Sequence, residues 1–316
     1  KYSYRNLILL AAAVTFSISI RAGGLLLICY LFFFFFLFHL VRYLNGTTSD
    51  IKEIRKKFFL ICGISAISWC LAILLWPYAL QSPVKNVIES YRVMAHYPLT
   101  FRQIFEGRVE WSDYMPWYYL PKSMAITIPV VVSTGMFLFF IFLKSKLNQK
   151  NLFKYVLILF TILFPVVFVL YEKSNIYSSW RQFLFLYPGI VLLASIGYRN
   201  FQEFVGIRYL KWSITALIVL LSIHPVKFML NNPKFYYLYY NQLVGGLKGA
   251  YSNYETDYHY VSQTAASQWL IDYLKNKMPG AKVKVKVKTT YTVDWQFRKH
   301  PEIETSYFRY EERSLS

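Results

Sequence analysis

The 316 residues are 56% hydrophobic and 20% aromatic but only 16% charged, and 35 Lys and Arg against 16 Asp and Glu leave a net charge of +19. A soluble domain carries about 25% charged residues, so this composition excludes one, together with disorder, collagen and a disulfide-stapled secreted scaffold. Nucleic-acid binding would account for the positive charge but not for long apolar stretches with the charges confined between them, so no nucleic-acid partner is expected. What remains is a polytopic membrane protein.

A membrane span needs about 20 mostly apolar residues, each adding about 1.5 Å. In chain order the candidates are Asn6–Ile20, Gly23–Leu44, Phe58–Leu80, Tyr119–Leu143, Leu152–Tyr171, Phe183–Tyr198 and Trp212–Leu230, about seven transmembrane helices in all. The first and sixth are short. The chain opens without Met or a cleavable signal pattern, so it is expected to be the C-terminal part of a longer protein. Cys29, Cys62 and Cys70 sit inside apolar runs and read as packing residues.

Basic residues in short loops set the orientation. Arg42, Lys52, Arg55, Lys56 and Lys57 form one group, Lys144, Lys146, Lys150 and Lys154 a second, and Arg199, Arg208 and Lys211 a third. These loops alternate across the spans and are assigned to the cytoplasmic side. The opposite side then receives the Arg21 turn, the outer loop 81–118, the Glu172–Gln182 loop and everything after Asn231. The sequon Asn45-Gly46-Thr47 falls on the cytoplasmic side and reads as accidental.

The outer loop carries an amphipathic stretch, Val84–His96, expected to lie as a helix at the interface. It ends in an aromatic run that includes Trp111, Trp117 and Tyr118. Such aromatics suit an interfacial belt, yet Arg102, Glu106, Arg108, Glu110 and Asp113 accompany them, and an anchor does not require those charges. Glu106 and Asp113 can also form hydrogen bonds within the loop. In the second loop Arg181 follows Trp180 at the start of a span. Its guanidinium suits either a lipid headgroup or a bound phosphate.

After Asn231 the chain reads as a small α+β domain, 231–316, following the 1–230 helical region. Ser262 is placed as an N-cap before a helical face of Ala265, Ala266, Trp269, Leu270, Tyr273 and Leu274, and Pro279-Gly280 stops that helix. Lys282 to Lys288 alternates with valine as a strand, and Glu302–Tyr310 suggests another. Asp257 and Glu255 read as residues that hold this part together. No phosphate-binding glycine loop, serine elbow or His/Cys metal spacing is present, so no metal ligand is named.

Four stretches resemble bacterial members of the GT-C glycosyltransferase superfamily, in the branch of protein mannosyltransferases and aminoarabinose lipid A transferases. They are Ser19-Ile20-Arg21-Ala22-Gly23-Gly24-Leu25-Leu26-Leu27, Met115-Pro116-Trp117-Tyr118-Tyr119-Leu120-Pro121-Lys122, Tyr177-Ser178-Ser179-Trp180-Arg181-Gln182-Phe183-Leu184-Phe185, and Asn232 to Asn241 continuing to Tyr258-His259. Ser178, Ser179, Gln182 and His259 depart from the Asp, Gly, His and Trp that such relatives carry.

The resemblance implies sugar transfer from a polyprenyl-phosphate donor to a protein, lipid or glycan acceptor, at the outer face of a bacterial inner membrane. It places the catalytic acid in a loop upstream of these segments, so no catalytic residue is named. Arg181 is the first candidate for the donor phosphate, Lys122 the second, with Arg102 and Arg108 weaker. Asp113 and Glu106 would orient hydroxyls, and Trp117, Tyr118 and Trp180 would stack on a sugar. No cofactor is expected, and a divalent metal is left open. A non-catalytic subunit of the same fold and a transporter are the alternatives. The transporter would want charged residues at mid-span, which are not found.

Overall fold

A computed structural model describes residues 3–46, 50–146, 149–257, 259–277, 285–289 and 293–307. The elements are α1 (Tyr4–Ile20), α2 (Leu25–Leu44), α3 (Ile51–Leu74), α4 (Pro77–Gln81), α5 (Lys85–Ala95), β1 (Arg102–Phe105), β2 (Arg108–Trp111), α6 (Tyr119–Thr127), α7 (Val130–Lys146), α8 (Gln149–Tyr171), α9 (Tyr187–Val205), α10 (Arg208–Asn231), α11 (Gly246–Ala250), α12 (Ser262–Lys277), β3 (Val285–Thr289), α13 (Asp294–Phe297) and β4 (Ile303–Tyr307). A 3₁₀ turn, Arg181–Leu186, leads into α9, and another, Ala22–Gly24, joins α1 to α2.

Five helices among the described residues are long and apolar enough to cross a membrane, six if one bent pair counts as a single span. The apolar windows of Ala22–Leu44 and Arg208–Asn231 are only 6% buried inside the protein. So much bare hydrocarbon is stable only in an apolar medium. The chain is a helical membrane protein.

The expected seven spans need correcting in three places. α1, at 17 residues, falls short of the length that qualifies the others. The stretch expected as one span, Tyr119–Leu143, is two helices, α6 and α7, bent by 114°. Pro129 is the cause, because its ring and missing N–H disfavour helix at the preceding residue, and Ile128 is extended. The third span also ends earlier than expected, at Leu74, with α4 beyond it.

The carbonyls freed at that bend are satisfied from a distance. Asn241, fully buried, donates its Nδ2 to the carbonyls of Ala125 and Ile128 at 2.6 and 2.8 Å, and its backbone N–H to Ile126. An open helix end is thereby closed by one side chain.

α7 and α9 form the tightest helix pair. A methyl group on Gly197 would overlap the carbonyl of Gly135, and one on Gly135 would press on Ala194. Small residues let these backbones touch, the usual solution where lipid competes for apolar contact. Leu120, Phe139 and Leu193 are completely buried around this contact.

The helix ends sort into two groups. Lys146 pairs with Glu203, which also takes Arg199, and Phe38 of α2 meets Phe153 of α8, so the basic loops gather at one end. At the other end Arg21 reaches the carbonyl of Gln182, and Asn175 bonds the carbonyl of Leu99.

The part after Asn231 falls into two stretches that pack differently. Residues 232–257 pack on the β1–β2 hairpin and the α6–α7 bend: Glu255 accepts the Ile104 N–H at 2.9 Å, and Phe105 bridges Tyr254. A small unit with its own core of Ile271, Val293, Phe297 and Ile303 begins at Ser262. Its strands β3 and β4 pair in parallel, Val285 opposite Ile303. Trp269 and Tyr273, which share a face of α12 as expected from their spacing, are exposed and stacked on each other at 5.2 Å, while Ser267 and Ile271 are buried. The residue that caps this helix is Asp257, whose carboxylate accepts from the Val261 and Ser262 N–H groups and the Ser262 hydroxyl. Tyr258, Pro279-Gly280, Lys282 to Lys284 and Phe308 to Tyr310 lie outside the described residues.

Candidate functional site

β1 and β2 are joined by Glu106-Gly107, both at positive φ, the two-residue turn that suits the twist of a hairpin. Gly107 also packs under Asn253, which accepts its N–H at 3.1 Å. The turn presents Glu106 to Lys122 on α6, with which it forms an ion pair, and to the Tyr118 hydroxyl at 3.1 Å. The hydrogen bond from Lys122 holds the Glu106 carboxyl below its ordinary value, and Tyr118 adds to the effect. Lys122 also lies over the rings of Phe105 and Tyr254. Glu106, Tyr118 and Lys122 therefore form one cluster, and its charges are already matched.

The other sequence candidates divide. Arg102 stacks on Trp111, its cross-strand neighbour, at 4.8 Å. Asp113 and Trp117 are exposed beyond the hairpin. Trp180 is different from expectation: its ring is 7% exposed, its indole donates to the Thr127 hydroxyl at 2.6 Å, and it packs on Tyr187. A buried face offers no platform for a sugar. Trp180 is a core residue.

The loop that carries Arg181 is held by Gln103, 3% exposed, whose Nε2 donates to the Ile176 carbonyl and whose Oε1 accepts the Ser178 N–H. Ser178 and Ser179 both adopt positive φ, a strain of about 1–2 kcal/mol for each non-glycine residue. Their N–H groups are fastened to Gln103 and to the Tyr119 hydroxyl, which keeps them there. Arg181 then lies over the Tyr177 ring at 5.3 Å and reaches Nδ1 of His259 at 3.4 Å. Burial and the Arg181 charge hold the His259 imidazole below its usual value, against an opposing pull from Asp257.

Tyr177 also lines a cleft of about 470 Å³, within the usual range for small-molecule sites. One wall is the break between α1 and α2, where Arg21 is extended and Gly24 is pressed so closely on Ser17 that a side chain would collide with its backbone. The expected interfacial helix, α5, also lines it, with Glu89, Val93 and Met94. The Glu89 carboxylate takes the Tyr78 hydroxyl at 2.9 Å, while the Arg21 guanidinium donates to the Gln182 carbonyl. Trp76, Tyr97 and Tyr177 supply aromatic lining. Neither Arg21, Tyr78 nor Glu89 stood out in the sequence as a site residue. The available signals were an arginine beside a helix-breaking Gly-Gly and an acid on an amphipathic segment after proline.

No protein-family model, curated protein or solved structure matches this chain. The chemistry of the site therefore rests on its own residues. Among the described residues no group of three His, Cys, Asp or Glu side chains is placed to hold a metal ion.

Proposed function

We propose that this protein transfers a sugar from a polyprenyl-phosphate carrier to an acceptor at the polar end of its helices, on the extracytoplasmic side of the membrane. The observation that carries this reading is the cleft: a guanidinium, a carboxylate held by tyrosine, and aromatic rings converge at the end of helices with bare apolar surfaces. A polyprenyl tail fits in lipid against those surfaces. The acceptor oxygen bonds to the anomeric carbon as the bond from that carbon to the phosphate oxygen breaks. The electron pair leaves with the phosphate, where the positive field of Arg21 and Arg181 lowers the barrier. A carboxylate base takes the acceptor proton, as the resemblance implies.

Orientation follows from the basic end, where Lys146 and Arg199 converge on Glu203, assigned to the cytoplasm of a bacterial inner membrane. The unit from Ser262 onward then stands outside. A transporter would use the bend at Pro129, since broken helices often line substrate paths. Here Asn241 fills that break with hydrogen bonds, which favours a structural corner over a path.

The test is transfer of radiolabel from polyprenyl-phosphate sugars by the full-length protein in membranes, wild type beside Arg181→Ala. Label moves with wild type and falls about tenfold or more with the variant, a loss of about 1.4 kcal/mol or more of transition-state stabilisation. A folded wild type that transfers label from no donor overturns the enzyme in favour of a non-catalytic subunit.

A further inference from the structure

Helix α12 carries two aromatic side chains that the small unit's own core leaves bare. Ile271 turns into that core beside Val293 and Phe297, whereas Trp269 is 64% and Tyr273 43% exposed. The two rings stack on each other, and their spacing of four residues continues to the exposed Lys277. Trp, Tyr and Lys therefore lie in one line along the helix. Gln268 and Asp272, bonded to each other at 3.1 Å, form a polar strip on its flank.

What covers the aromatic line follows from where α12 begins. Tyr239 packs on Phe228 at 5.5 Å, and its hydroxyl lies 3.3 Å from His224 Nδ1, both on the final turns of α10. Tyr237 is two residues away, hence within about 7 Å of Tyr239 along the chain, and its hydroxyl donates to Asp257 at 2.9 Å. Asp257 in turn accepts the Val261 and Ser262 N–H groups. The first turn of α12 is thereby fastened near the end of a helix long and apolar enough to cross the membrane. Trp and Tyr favour headgroup depth, and a lysine in line with them reaches anionic phosphates. From Ser262 to Tyr307 eight Lys and Arg stand against four Asp and Glu, so the unit as a whole is drawn to an anionic surface.

We infer that the line Trp269, Tyr273 and Lys277 docks on the lipid surface, so that the unit beginning at Ser262 lies on the bilayer from which α10 emerges. This goes beyond the transferase reading and does not rest on it. With 16 residues, α12 is about 24 Å long, so a helix hinged at Asp257 and laid down at Trp269 covers lipid beside the helical region. Trp269 and Tyr273 enter among the headgroups and Lys277 meets phosphate. Gln268 and Asp272 stay in water.

The test uses the full-length protein in nanodiscs of phosphatidylethanolamine and phosphatidylglycerol in equal parts. The photoreactive residue p-benzoylphenylalanine replaces Gln268, Trp269 or Tyr273 in turn, with melting curves to confirm folding. Mass spectrometry after ultraviolet light then reads what each position has joined. Positions 269 and 273 join phospholipid about tenfold more than 268 does, as burial of one strip of a helix in the interface predicts. Lys277→Gln lowers the lipid adduct at 269 by about fivefold, the effect of one lysine near an anionic surface. Nanodiscs of phosphatidylcholine alone lower it further, because every basic residue of the unit loses that attraction.

Equal lipid adducts at all three positions overturn the docking line. Adducts at 269 that join it to another polypeptide, a second copy included, overturn the bilayer as its occupant. A folded protein that gives no lipid adduct at 269 or 273 does the same, with both rings in water. A yield unchanged by both Lys277→Gln and phosphatidylcholine strikes the lysine from the line.

Discussion

The Tyr119 hydroxyl donates to Gln103 Oε1 at 2.9 Å and accepts the Ser179 N–H at 2.9 Å. One phenol thereby joins the hairpin, the start of α6 and the loop that ends at Arg181. Removing it with Tyr119→Phe leaves the half-buried Ser179 N–H without this partner and the Gln103 oxygen with the Ser178 N–H alone. The expected cost is about 1–3 kcal/mol, seen as a lower melting temperature in detergent and faster proteolysis within 172–182. Equal melting and equal cleavage would show that the loop is held by other means.

Asn241 is the second long-range tie. Asn241→Leu keeps the branched shape, with a somewhat larger side chain, but removes both donors to the Ala125 and Ile128 carbonyls. A loss of about 2–4 kcal/mol is expected for two buried carbonyls left unpaired. It should appear in denaturant titration as a shifted midpoint with unchanged slope. A midpoint within error of wild type would mean that the α6–α7 bend needs no cap.

The α7–α9 contact admits no added atoms. Gly197→Ala forces the new methyl onto the Gly135 carbonyl, and overpacking of this kind costs about 1–3 kcal/mol. The paired change at a lipid-exposed position, Leu217→Ala, should be nearly neutral, because Leu217 is 54% exposed on α10. Similar melting temperatures for both variants would contradict the packing described here.

Two carboxylates give opposite pH signs. Glu106 is held below its ordinary value by Lys122, so its stabilisation is present above the ordinary carboxylate range and disappears as pH falls through its lowered value. Glu255 is pushed up by burial, opposed by the Ile104 N–H and reinforced by Asp257. Its contribution is greatest below the ordinary carboxylate value and is lost as pH rises through its raised value. Glu255→Gln keeps an oxygen for Ile104 and removes the buried charge, so it should stabilise the protein at neutral pH and not in acid. Glu106→Gln should destabilise at neutral pH and converge with wild type in acid. Melting curves across the acid range decide both, and a Glu255→Gln that is less stable at pH 7 would refute the assignment.

The sequence was a good guide where one physical variable decides. Hydropathy located the apolar runs that became α2, α3, α8 and α10, and amphipathic spacing found α5 to within a residue at each end. Pro129 marks a place where a helix can kink, but average hydropathy carries no direction, so two helices at 114° read as one span. Trp180 was misread because a tryptophan at a span end suits an interface and a core equally well, until Thr127 is seen to take its N–H. The cleft was beyond reach for another reason. Arg21 and Gln182 touch across 161 residues of chain, and only the fold brings that separation to contact.

The central claim is that the protein breaks a sugar–phosphate bond on a lipid carrier. It is tested most directly by following the released carrier, with full-length protein in proteoliposomes supplied with a polyprenyl-phosphate hexose and a membrane extract as acceptor. Mass spectrometry of the lipid phase should show free polyprenyl phosphate rising with time and with protein amount, and rising about tenfold more slowly for Arg21→Ala, a difference of about 1.4 kcal/mol. Donor that stays intact with a folded wild-type protein, across every polyprenyl-phosphate sugar supplied, would contradict the account.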